Sequence, residues 1–117
     1  MQNRPTTAEL ADAVRTFLEK EIGPALEDPR LRFRTLVAAN ALSMLGRDLE
    51  LGSELLREEV KLLTALLGME GDAEALNAEL CRHIRRGAPP AGTLPTLRRI
   101  AELKLRIASP RYLEGRR

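Results

Sequence analysis

The chain has 117 residues, 44% of them hydrophobic, which fits one core-forming domain and excludes a disordered polymer. Aromatics make up only 3%, and Leu and Ala dominate the apolar set, a mixture that favours helices over sheets. The net charge of +2 hides a polarised distribution: residues 1–81 carry 9 Lys+Arg against 15 Asp+Glu, and residues 82–117 carry 10 Lys+Arg against Glu102 and Glu114.

A basic third of this kind attracts an acidic partner, a phosphate-bearing ligand or the acidic part of its own chain. Cys81 is the single cysteine, which excludes an intramolecular disulfide and a thiolate metal site. Met1 is followed by polar residues, and no apolar run approaches the ~20 residues that span a bilayer. A cytoplasmic protein without a membrane partner is expected.

In chain order, Thr6-Thr7-Ala8-Glu9 reads as a capping box that opens a first helix. Its apolar stripe is Leu10, Val14, Phe17, Leu18 and Ile22, and Gly23-Pro24 is expected to end it. Asp28-Pro29 opens a second helix, expected to run to about Leu51 with Gly52 closing it. This helix has two apolar stripes. Phe33, Leu36, Val37, Asn40, Met44 and Leu51 lie on one side; Leu31, Ala38, Leu42, Leu45 and Leu49 lie roughly opposite. A helix apolar on two faces is expected to be covered on both, which makes it the centre of the fold.

Ser53 is expected to cap a third helix ending at Gly68. Its broad apolar face is Leu55, Leu56, Val60, Leu62, Leu63, Leu66 and Leu67, and Glu58-Glu59 reads as solvated. Asp72 caps a fourth helix that Gly87 ends, and residues 87–92 form a Gly/Pro loop. Thr93-Leu94-Pro95 begins a fifth, which stops before Ser109-Pro110. The prediction is an all-α, single-domain bundle of about five helices over residues 1–117, with a central second helix and a basic, flexible tail from about Arg111.

Catalytic constellations are missing. One histidine cannot build a His-rich metal site, and neither phosphate-cradling glycine motif occurs. Glu79 and His83 share a helix face, a pair too small for a metal site, and Cys81 reads as a small buried hydrophobe. Arginines crowd the last third, but Tyr112 is its only aromatic and no tight helix-turn-helix appears, so nucleic acid is disfavoured. Polar residues on apolar stripes remain: Asn40 in the second helix, Asn77 and His83 in the fourth, and Lys104 in the fifth. Each is expected to find an internal partner, since an unpaired buried polar group costs ~1–3 kcal/mol; for Asn40 that is an internal hydrogen bond, and the alternatives are that Lys104 snorkels with its amine in water and that these stripes stay partly open to a partner.

Arg4-Pro5-Thr6 with Glu9-Leu10, Phe33-Arg34, Val37-Ala38-Ala39-Asn40-Ala41-Leu42 and Asp48-Leu49-Glu50-Leu51-Gly52 occur in a characteristic order. Leu76-Asn77-Ala78-Glu79-Leu80, Ile84-Arg85-Arg86-Gly87, Lys104-Leu105 and Pro110-Arg111-Tyr112 continue it. On these residues nearly all of 2–113 resembles a family of small bacterial proteins encoded beside aminoglycoside-phosphotransferase-like kinases and acyl-CoA dehydrogenases. That family is similar to the small accessory component of levulinate-type pathways, in which the kinase phosphorylates the 4-hydroxyl of a 4-hydroxyacyl-CoA.

The resemblance implies a non-catalytic partner of such a kinase, without a cofactor or metal and with no catalytic residues to carry over. The expected partner-contact or polar-network residues are Arg34, Asn40, Asn77, His83, Arg85, Lys104, Arg111 and Tyr112. A stand-alone acyl-CoA or small-molecule binding module is the alternative, and a basic nucleic-acid-binding protein is third. Two apolar stripes on one helix fit either a closed monomer or a homo-oligomer.

Overall fold

The computed structural model describes residues 4–114, and every regular element among them is helical, as the composition predicts. The elements are α1 (Thr7–Phe17), a π-helical turn (Leu18–Ile22), α2 (Gly23–Ala25), α3 (Pro29–Leu67), α4 (Ala73–Arg85), α5 (Thr93–Ala108) and α6 (Pro110–Glu114). The chain divides into two compact units, residues 1–52 and 53–117, and α3 contributes to both.

In the first unit the capping box forms as expected. The Glu9 amide donates to Thr6 Oγ1 at 3.1 Å, and the Thr6 amide donates to Glu9 Oε1 at 2.9 Å. Gly23-Pro24 does not end the helical path, contrary to the sequence expectation. Pro24 has no N–H for the carbonyl four residues back, and its ring crowds that carbonyl. The ladder slips by one residue, so that the Gly23 N–H reaches the Leu18 carbonyl and the π turn absorbs the mismatch. A side chain on Gly23 would start 3.2 Å from that same carbonyl, which explains glycine there. The chain leaves the helix at Leu26, which is extended, and the Arg32 guanidinium donates to the Leu26 carbonyl across the turn (Nε···O 3.2 Å).

Asp28 caps α3 through its carboxylate, which accepts from the Arg30 amide at 2.9 Å. The second correction falls at Gly52. There is one helix of 39 residues where two were expected, and Gly52 is not among the glycines with positive φ. A closing glycine needs a left-handed conformation. The apolar spacing also keeps its phase through Gly52 (Leu45, Leu49, Leu56; Met44, Leu51, Leu55), so no side chain asks for a break.

Residues 8–15 of α1 share a groove with residues 42–50 of α3, while Glu19, Gly23 and Pro24 share another with Arg32 and Leu36. The two helices therefore run antiparallel. The buried residues of this hairpin are Ala11, Gly23 and Ala39, all small. The expectation that the first half of α3 is covered on both faces fails: Leu31, Phe33, Leu36, Val37, Leu45 and Leu49 are exposed.

The second unit holds the large-residue core. Leu63, Leu76, Leu80 and Ile100 cluster from α3, α4 and α5, flanked by Val60, Leu62, Leu66 and Leu67. Full burial is worth about 1.5–3 kcal/mol for each such side chain, so this cluster dominates the unit's stability. Asp72 caps α4, accepting from the Ala75 amide at 2.8 Å. Gly87 (φ 72°) ends α4 in a Schellman turn, with Gly87 N–H bonded to Ile84 O and Ala88 N–H to His83 O, both at 3.0 Å.

α5 begins at Thr93, as expected, with Gly92 (φ 89°) at the position before it. Ser109-Pro110 ends α5 as expected, but residues 110–114 form the short α6 in place of a frayed tail; residues 115–117 lie outside the described part. Cys81 is exposed, not a buried hydrophobe, because α4 turns Leu76 and Leu80 inward and leaves Cys81 on its outer side.

The continuous α3 gives a sign test. Gly52→Ala should stabilise the chain by about 0.5–1 kcal/mol, because the helical φ suits alanine and only the mobile end of the Asp48 side chain must move aside. Gly87→Ala should destabilise by about 1 kcal/mol, since its left-handed φ disfavours a side chain. Urea denaturation of both variants would check this; a loss of stability in Gly52→Ala would restore the helix break.

Candidate functional site

In the second unit, three helices meet at a carboxylate. Glu59 of α3 is 6% exposed, although the Glu58-Glu59 pair reads as solvated in the sequence. Its Oε2 accepts from Asn77 Nδ2 of α4 at 2.9 Å, and its Oε1 lies 3.2 Å from Lys104 Nζ of α5. The second N–H of Asn77 Nδ2 goes to the Ala73 carbonyl at 2.8 Å. Asn77 and Lys104, both expected to find internal partners, converge on the residue that was missed. Its spacing carried the information: Glu59 is four residues from both Leu55 and Leu63, inside the apolar stripe. The side chain of Lys104 remains mostly exposed, so its stem packs while its amine caps the network from the solvent side.

Beside this network Arg99 bridges Glu58 (2.9 Å) and Glu102 (3.4 Å), and the hydrogen bond it donates to the Glu58 carboxylate raises its pKa. On α4, Glu79 holds both Arg82 (Nε···Oε2 3.0 Å) and His83 (Nε2···Oε1 3.2 Å). The Arg82 hydrogen bond comes first among the causes that hold the Glu79 carboxyl below its usual range. His83 Nδ1 lies 3.3 Å from Arg86 Nη2, so both ring nitrogens are engaged on its own helix. Among the described residues no three His, Cys, Asp or Glu gather as a metal-binding group. Arg85 and Arg111 are exposed, as is Tyr112 on α6. Glu79, Arg82, His83 and Arg86 pair along α4, and Arg99 ties α5 to Glu58 of α3.

The first unit differs in kind. Arg34 and Asn40 are exposed on α3, and the exposure of Asn40 corrects the reading of it as a buried amide. Its surroundings explain why. Phe33 (66% exposed), Leu36 and Val37 share its side of the helix and are equally uncovered. An apolar patch with an aromatic at one end and one amide in its middle needs no internal acceptor, because water reaches the amide.

The groove between α1 and α3 has a volume of about 530 Å³ and is lined by Ala8, Asp12, Ser43, Gly46 and Arg47, with Glu9, Arg15 and Glu50 at its walls. Arg15 is already held by Asp12 and Glu19, each at 2.7 Å, and the Asp12 hydrogen bond raises its pKa. With three carboxylates along it, this groove is a poor cradle for the phosphates of CoA.

Two predictions follow the polar groups. Glu59→Ala should cost about 2–3 kcal/mol, because it removes a buried stem and unpairs Asn77 from α3, while Lys104→Ala should cost under about 1 kcal/mol at its exposed position. Urea denaturation of both variants would check the order; equal costs would mean that Glu59 is not the node. Because the folded state depresses the Glu79 pKa, its stabilisation is present above the ordinary carboxylate range and is lost as pH falls through the lowered value. The melting temperatures of wild type and Glu79→Gln should therefore differ at neutral pH and converge in acid.

No curated protein and no solved structure matches the chain. Residues 24–112 match the family described as a domain of unknown function (DUF6285), and the chain belongs to that family.

Proposed function

We propose that this member of the DUF6285 family is a non-catalytic docking subunit. Its partner is an aminoglycoside-phosphotransferase-like kinase of the kind that phosphorylates hydroxyacyl-CoA. The observation that carries this reading is the α3 patch of Phe33, Leu36, Val37 and Asn40, apolar and solvent-exposed, within the stretch on which the family resemblance rests. An exposed aromatic anchor beside a single amide is the pattern of a protein-binding hot spot, with the ring filling a pocket and the amide setting register. Exposed basic residues, Arg85 and Arg111 among them, add long-range attraction toward an acidic kinase surface or the phosphates of its bound substrate. The kinase supplies the chemistry, and Glu59, Asn77 and Lys104 of this chain serve contacts between its helices.

The test is co-expression with an aminoglycoside-phosphotransferase-like kinase of the proposed kind, followed by purification through a tag on either chain. The two should co-purify, and kinase solubility or activity should fall when this chain is omitted. Phe33→Ala should weaken the complex by at least about tenfold with the helical content unchanged. A kinase equally soluble and active alone would overturn the proposal.

A further inference from the structure

The first unit has a second apolar face, on the other side of the hairpin from the Phe33–Asn40 patch. Ala11 and Ala39 are buried and mark the seam between α1 and α3. Turning from them at about 100° per residue, Leu10, Val14 and Phe17 lie roughly 60–120° to one side on α1. Leu31, Leu45 and Leu49 lie about 80–120° from the seam in the same sense on α3. In antiparallel helices, equal senses of rotation lead to the same side. The six side chains therefore form one continuous face, and each is between 45% and 50% exposed. Ala38 and Leu42 occupy the remaining positions of that sector on α3, and the nearest charges, Arg34 on α3 and Glu21 one turn past Phe17, stand at its edge.

We propose that this face is covered by the same face of a second copy, so that two hairpins join about a twofold axis into a four-helix arrangement. Three observations favour a copy over a foreign protein. A face whose charges stand only at its edge is self-complementary over its middle, since apposing that middle to itself buries no ion, and it lacks the central polar element that would select another partner. At roughly 80 Å² of apolar surface still to be buried per half-exposed side chain, six give about 500 Å² per copy and about 1,000 Å² per pair, the threshold of a specific interface. The hairpin also buries no large side chain of its own, so the surface that would complete its core must be supplied from outside it. The proposal is independent of the kinase, because it concerns the chain alone and another side of the hairpin.

Sedimentation equilibrium of the full chain, over two decades of concentration into the high micromolar range, tests it. The expected species at the upper end is a dimer of twice 13.0 kDa. Val14→Glu places a carboxylate in the face of both copies and should raise the dissociation constant at least about 100-fold, and Leu45→Lys, on the other helix, should do the same. Val37→Glu, on the Asn40 side, should leave the dimer intact. Circular dichroism of each variant reports folding, and the wild-type measurement stands if a variant unfolds. A wild-type chain that sediments at 13.0 kDa throughout would overturn the proposal, as would a dimer broken by Val37→Glu but not by Val14→Glu.

Discussion

Two helices that meet through alanines and glycines come close together, and closeness has a consequence. The seam of the N-terminal hairpin is made by Ala11, Gly23 and Ala39, which leaves no room between the helices for a leucine or phenylalanine. Most large apolar side chains of α1 and of the first half of α3 lie on the flanks of the seam, where they meet water, while Leu42 and Met44 are half-buried. The result is a unit whose backbone is well ordered by capping and by the π turn at Pro24, yet whose apolar surface is left over. Apolar surface of this extent is where partners bind, and the docking reading starts from that constraint.

The second unit solves the opposite problem. Leu63, Leu76, Leu80 and Ile100 bury themselves against one another, and a single buried carboxylate sits beside them. Glu59 reaches Asn77 on α4 and Lys104 on α5, so it tolerates few relative positions of the three helices. Leucines alone would accept many. A buried charge is weak evidence for added stability, but paired on two sides it favours one register, which suits a scaffold that must hold its shape. The contrast lies in the cores: the second unit buries a cluster of large side chains, although Leu56, Ile84 and Leu94 stay exposed on it, and the first buries only small ones.

Much of this was legible in the residues. The caps at Thr6, Asp28 and Asp72, the stop at Gly87 and the all-helical character follow from local chemistry that tertiary contacts did not override. The errors are equally instructive. Gly23-Pro24 and Gly52 look like punctuation, but a π turn accommodates the first, and the second sits in a helix whose apolar phase never changes. Asn40 looked buried because its neighbours are apolar; periodicity identifies a face but cannot say whether anything covers it. Glu59 was hidden by its neighbour Glu58, although its spacing from Leu55 and Leu63 pointed inward. The candidate site is the least legible part, since an open surface is defined by what is missing from it, and a one-chain sequence does not contain its partner.

The central claim is that the N-terminal hairpin is completed by surfaces other than its own. Backbone hydrogen exchange tests this most directly, followed residue by residue in dilute chain, in concentrated chain and with the kinase added. The account predicts that amides of α1 and of the first half of α3 exchange much faster than those of α4 and α5 in dilute solution. They should then slow as the chain is concentrated and again when the kinase is present. Amides of α1 as protected as the Leu63–Leu76 core in dilute solution, and unchanged by either addition, would contradict it.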